Sequence, residues 1–288
     1  MSPTFAPAAP VALAMARPMP LEPPVTSTDL PRQNIFEIMS WTMSLPTASL
    51  ATALRRHAVE IDGHVVAAEI DLRAGDRRPP VVFLPGVLTT PDIGWMLRSA
   101  VPDRSWIGVS LPGHHPGRFG TAGPPAITAK SFAEPTEKIL HDILGDQRVV
   151  VVGWSLGGFS ALSLTVHHPE RVAAAASLAG IVRGGVRGIT GLIARLARMP
   201  VIRHGVPMGL HLARSMPRVH AFVAEACTAK TSGSIPTAVL DEMHAAYQLH
   251  DARSTAAVMA AVPALDITAA LGSIRVPTWI AAGEHDPI

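Results

Sequence analysis

Val149-Val150-Val151-Val152-Gly153-Trp154-Ser155-Leu156-Gly157-Gly158 is the stretch that decides how this chain is read. Four consecutive valines make a run without polar alternation, which suits a strand covered on both faces. Leu156 to His168 follows as a helix candidate. Between them a Gly-x-Ser-x-Gly pattern falls on a strand-to-helix turn. A turn that tight has no room for side chains two residues before or after the serine, and Gly153 and Gly157 meet that need. The Ser155 hydroxyl then projects above the sheet. The backbone N–H of Leu156 opens the helix, where developing negative charge is favoured. The competing reading is a Gly-rich packing turn in which Ser155 is only an N-cap.

Working outward, four more apolar runs share the same character: Pro80 to Leu84, Trp106 to Leu111, Val172 to Leu178 and Thr278 to Ala282. Ile93 to Val101 and Ser131 to Leu144 are helix candidates between them. Earlier, Val59 and Ile61 alternate with polar residues, Asp62-Gly63 makes a hairpin turn, and His64 to Leu72 continues as a strand. Strand and helix in alternation predict the α/β class, with a mostly parallel, doubly wound sheet built from residues 57–182 and 276–288. Residues 183–275 break the alternation and read as an inserted helical layer, in pieces near 186–199, 207–226, 236–250 and 252–261. Eight prolines within residues 1–31 argue for a flexible Pro-rich tail over 1–34. A short helical lead-in over 35–56, interrupted at Pro46, follows it.

Composition removes several classes. The 288 residues carry 24 Lys plus Arg against 22 Asp plus Glu, and 48% of them are apolar, so a full core can be buried. Cys227 is the only cysteine, which excludes a disulfide scaffold and fits a cytoplasmic location. A net charge of +2 is too small to argue for nucleic acid. No run approaches the roughly 18 apolar residues that span a bilayer. The charge is unevenly spread, however. From Arg171 to Ala224 there is no Asp or Glu, and the same span holds eight arginines: Arg171, Arg183, Arg187, Arg195, Arg198, Arg203, Arg214 and Arg218. They read either as an attraction for an anionic partner (a carboxylate, a phosphate-bearing thioester, an anionic membrane surface) or as solvated helix faces.

With these motifs in place, residues 57–288 resemble the α/β-hydrolase superfamily. Val81-Val82-Phe83-Leu84-Pro85-Gly86-Val87 looks like the family's oxyanion strand and loop. That match implies the Val87 N–H as the partner of the Leu156 N–H, with Pro85 standing where members usually have histidine. Leu111-Pro112-Gly113-His114 is similar to the loop after the next strand. Val276 to Ile288 looks like the late strand and acid loop, which makes Asp286 the triad acid. The resemblance also implies that 183–275 is a cap over the site. Leu192, Ile193, Leu196, Leu210 and Leu212 would line its inner side, and the arginines would lie outside or at the entrance.

Family order is serine, then acid, then histidine. Only Pro287 and Ile288 follow Asp286, so the catalytic histidine, its strand and the last helix are expected to be missing, and the fold to be C-terminally incomplete. His114, His115, His244 and His250 are the substitutes within the chain, each with a structural reading beside it. The function expected is a serine hydrolase cleaving an ester, thioester or related acyl bond. Ser155 attacks, Val87 and Leu156 hold the oxyanion, and Asp286 orients a histidine outside this sequence. No metal or organic cofactor is implied. The partner is a small-molecule acyl substrate, an anionic one being an option; no nucleic acid is expected and the oligomeric state is open. Acyl transfer remains an alternative, as does a pseudo-hydrolase that binds a small molecule without turnover. Haloalkane or epoxide opening would need a carboxylate nucleophile where Ser155 stands.

Overall fold

A computed structural model describes residues 54–62, 64–120, 123, 126–184, 188–199, 205–226 and 235–283. The expected Pro-rich tail and nearly all of the expected helical lead-in lie outside these residues. The lead-in was read as reaching residue 56, but strand β1 already begins at Arg55.

Among the described residues seven strands form one sheet in the order β1-β2-β4-β3-β5-β6-β7. They are β1 (Arg55–Ile61), β2 (His64–Asp71), β3 (Val81–Leu84), β4 (Trp106–Val109), β5 (Val149–Trp154), β6 (Val172–Leu178) and β7 (Thr278–Ala281). The hairpin β1–β2 is antiparallel, and β2 also pairs antiparallel with β4. All later pairings are parallel, as the unbroken apolar runs predict.

Helix α1 (Trp95–Ala100) follows a 3-10 turn at Pro91–Gly94. Helix α2 (Ala129–Leu144) starts at a capping box. The Thr128 hydroxyl accepts from the Ser131 N–H, and Ser131 returns a bond to the Thr128 N–H. Gly145, at φ 59°, ends it. Helix α3 (Leu156–His167) packs beside α2, with Phe132 and Phe159 in edge contact at 5.6 Å. These two helices cover one face of the sheet over the fully buried Val82, Ile107, Val149, Val151 and Leu162. The other face carries a smaller cluster of Val81, Phe83, Ile93 and Trp106.

Between β6 and β7 the chain runs through α4 (Gly188–Arg198), α5 (Val206–Ala213), α6 (Pro217–Ala226), α7 (Thr237–Leu249), α8 (Ala252–Ala261) and the short α9 (Thr268–Leu271). The single helix expected near 207–226 is therefore two helices. Pro217 disfavours helical backbone at Met216 and opens α6 without an N–H to donate. Strand β7 also differs from a strand covered on both faces. It pairs only with β6 and forms the sheet edge among the described residues, with Trp279 61% and Ile280 53% exposed. No helix in the described residues is long and apolar enough to cross a membrane.

Candidate functional site

The turn after β5 departs from ordinary backbone. Ser155 sits at φ 54° and ψ −120°, a conformation that side-chain-bearing residues rarely adopt and that costs about 1–3 kcal/mol. Packing holds it there. A Cβ on Gly153 would fall 2.0 Å from the Gly157 carbonyl oxygen, and a Cβ on Gly157 would fall 2.0 Å from that of Leu84 and 2.4 Å from that of Pro85. Both glycines are thus required by backbone crowding between β3, β5 and α3. The Ser155 N–H donates to the Leu178 carbonyl at 2.9 Å, and its own carbonyl accepts from the Gly158 N–H at 2.9 Å. Ser155 opens α3, yet its hydroxyl makes no capping bond. That finding disposes of the N-cap reading and leaves the hydroxyl without a partner among the described residues.

The loop after β3 stands against this serine. A Cβ on Gly86 would lie 3.3 Å from the Ser155 Cβ and 3.2 Å from the Trp154 ring. Leu88 takes φ 64°, and the Thr89 hydroxyl donates to the Gly86 carbonyl at 2.8 Å, which closes the loop into a turn. The N–H groups of Val87 and Leu156 donate to no described residue. The structure therefore brings Ser155, Gly153, Gly157, Val87 and Leu156 into one neighbourhood at the carboxyl ends of β3 and β5. Ser155 is unstrapped and two backbone donors nearby are free.

Asp286 lies outside the described residues, as does His285. The strand leading to it is described. Trp154 pairs with Leu178 and Leu178 with Ala281, so β7 ends level with the serine turn. Among the described residues no histidine bonds to Ser155. His114 is fully buried, with Nδ1 on the Pro112 carbonyl at 3.0 Å. Its ring meets His250 edge to face at 5.1 Å, and Nδ1 of His250 is on the Ala246 carbonyl at 2.8 Å. Burial pushes His114 down to about 3, His250 adding to the effect; burial likewise lowers His250 to about 4. Both are neutral over the ordinary pH range, and both Nε2 atoms are buried without a partner. His244 bonds Gln248 at 3.0 Å and sits against His220. His115 stays half-buried on the same loop as His114.

Three features of the packed sheet had no signal in the sequence. Glu69 on β2 is buried and its carboxyl is pushed up to about 7, first by burial and then by Asp92 on the 3-10 turn, while Arg56 at 3.0 Å pulls it back. Trp95 donates its indole N–H to Glu242 on α7 at 3.0 Å, across 147 residues. Met243 packs on the cluster that includes Trp154. Helix α7 is thereby tied to the sheet next to the serine turn. Each of these contacts joins segments far apart in the chain, where periodicity carries no information. A cavity of about 190 Å³ lies elsewhere, under the β1–β2 hairpin, between His64, Phe119 and Pro135. No three His, Cys, Asp or Glu side chains converge as a metal site among the described residues.

Comparisons with known proteins agree with this architecture. A sequence model of the alpha/beta hydrolase fold matches residues 79–208. No curated protein matches the chain. Among solved structures, the Cif epoxide hydrolase from Acinetobacter nosocomialis is 16% identical, covers 92% of this chain and 85% of its own, and has a TM-score of 0.64. A thermophilic esterase from Thermogutta terrifontis is 15% identical over 81% and 82% of the two chains, with a TM-score of 0.61. The enol-lactonase from Burkholderia xenovorans LB400 is 19% identical over 80% and 82%, with a TM-score of 0.59. At these identities the likeness is one of fold. Sheet order, the strained serine turn and the family model over residues 79–208 together give this chain the fold of the α/β hydrolases.

Proposed function

We propose that the protein is a serine hydrolase acting on an ester, thioester or related acyl bond. The observation that carries this reading is the Ser155 backbone at φ 54°, held by a glycine cradle with the hydroxyl unpartnered. A strained, uncapped serine has no structural use that a glycine would not serve better. In the proposed cycle the Ser155 Oγ attacks the acyl carbon while its proton passes to a base. The carbonyl oxygen, now negative, takes hydrogen bonds from the N–H groups of Val87 and Leu156. The tetrahedral adduct collapses as the base returns the proton to the leaving group, and water then hydrolyses the acyl-serine in the same two steps. The base is a histidine oriented by Asp286. The helices between β6 and β7 act as a cap, with α7 positioned over Trp154.

Epoxide opening, the chemistry named for one structural relative, uses a carboxylate nucleophile, and Ser155 occupies that position here. The second reading is a binding protein that keeps the pocket without turnover. The absence of any described histidine on Ser155 favours it. One experiment separates the two. A fluorophosphonate probe is expected to label the parent protein and not Ser155→Ala. A parent that resists labelling while folded supports the binding protein, and labelling that survives in Ser155→Ala assigns another nucleophile.

A further inference from the structure

Three helices of the segment between β6 and β7 carry apolar side chains outward. On α4, Leu192 is 54% exposed, and Met199 just beyond the helix is 47% exposed. They share one stripe, seven residues apart, with the exposed Arg195 between them and Arg198 beside it. On α5, Met208 and Leu212 stand four residues apart, 60% and 55% exposed. Met216, Val219 and Phe222 extend the pattern into α6, with Phe222 62% exposed and Arg218 beside it. The sequence reading placed Leu192 and Leu212 on the inner, substrate-facing side, and the structure overturns that. Small residues, Gly191 and Ala194, are buried on α4 instead, Leu196 is half-buried, and Leu192 faces out. Ile193 lies outside the described side chains.

The outward stripe of a surface helix is normally polar. Here it is Leu, Met and Phe interleaved with arginine, and the one acid on these three helices is Glu225, in the last turn of α6. Arg195, Arg198 and Arg218 have no partner among the described residues. By contrast Arg183 pairs with Asp266 at 3.4 Å and Arg214 donates to the Gln248 carbonyl. The free arginines are thus the ones beside the exposed apolar residues.

We propose that α4, α5 and α6 dock on an anionic phospholipid surface. The apolar side chains enter the boundary between headgroups and acyl chains, and Arg195, Arg198 and Arg218 meet the phosphates. Charge decides the occupant. A second copy using the same face would bring three arginines against three others with only one Glu225 from each copy to offset them. A phospholipid layer supplies an anion at every headgroup and an apolar phase beneath it. This inference rests on the acyl-bond reading for its substrate class, an acyl ester taken from the lipid phase. The docking itself does not depend on Ser155.

The test is flotation of the full chain with vesicles of phosphatidylcholine alone and of equal phosphatidylcholine and phosphatidylglycerol. Binding is expected to the anionic vesicles and to fall in high salt. Arg195→Gln/Arg198→Gln/Arg218→Gln should lower the partition by about 10²-fold, at roughly fivefold per arginine. Leu212→Ser/Phe222→Ser should lower it by at least about tenfold. All five positions are exposed, and unchanged urea midpoints will show that the variants fold. Ser155→Ala should float like the parent, so failure to bind vesicles and failure to label Ser155 remain separate results. No flotation with anionic vesicles overturns the proposal. So does equal binding to both vesicle types, or a dimer seen by light scattering that Phe222→Ser dissolves while vesicles go unbound.

Discussion

Acidification should unfold this protein through two residues, His114 and His250. In the folded state they are held at about 3 and about 4, with burial the largest cause. In the unfolded chain each returns to about 6.5. A folded value below the unfolded one means the unfolded state binds more protons in between, so stability falls as pH drops below about 6.5. The loss levels off near 4 for His250 and near 3 for His114. At pH 5 each unfolded imidazole is favoured by about 2 kcal/mol through protonation, so the pair removes about 4 kcal/mol between pH 7 and pH 5. That is a large share of a typical 5–15 kcal/mol. Urea unfolding at pH 7 and pH 5, on the parent and on His114→Leu/His250→Leu, measures it. The double variant starts less stable because two backbone carbonyls lose donors, but only the change with pH matters. Glu69, raised to about 7, works in the opposite sense and costs stability as pH rises from about 4.5 to 7. His115 and His220 are lowered mainly by burial and act in the same sense as the pair. All three remain in both proteins; Glu69 and His220 cancel in the difference, and His115 does so apart from its small repulsion of His250. The parent should lose about 4 kcal/mol more than the double variant; a difference under about 1 kcal/mol would refute the assignment of a neutral buried pair.

Two further substitutions probe the scaffold. Gly157→Ala places a methyl 2.0 Å from the Leu84 carbonyl oxygen, so the loop bearing Val87 must move by about 1 Å. The expected result is about 1–3 kcal/mol of destabilisation in urea and about 10²-fold slower fluorophosphonate labelling. Arg171 is buried, holds Glu137 through two bonds of 2.7 Å, and donates to the carbonyls of Gly145 and Gln147. Arg171→Met leaves those oxygens unanswered and should cost about 3–5 kcal/mol, read as a lowered urea midpoint.

Much of the fold was legible because its signals are local. The valine run before Gly153, the turn at Asp62-Gly63 and the glycines around Ser155 each state a backbone requirement within a few residues. Strand β5, the hairpin and the serine turn follow from them. The single helix expected near 207–226 is broken for an equally local reason, since Pro217 disfavours helical backbone at Met216. The histidines were different. The loop position of His114 suits a stand-in base, and nothing near it in sequence shows that His250 fills the space beside its ring. The arginine-rich span was legible as composition, but the face it shares with Leu192, Leu212 and Phe222 was not.

The sequence by itself determined the serine turn, its glycines and the succession of strands and helices along the chain, because backbone sterics and apolar periodicity act over a few residues. Only the tertiary structure decided which histidines are neutral, that the Glu69 carboxyl is raised, and which apolar stripe is left uncovered. Those depend on burial and on neighbours from other elements, His250 standing more than a hundred residues from His114, and burial is a property of the packed chain rather than of any segment.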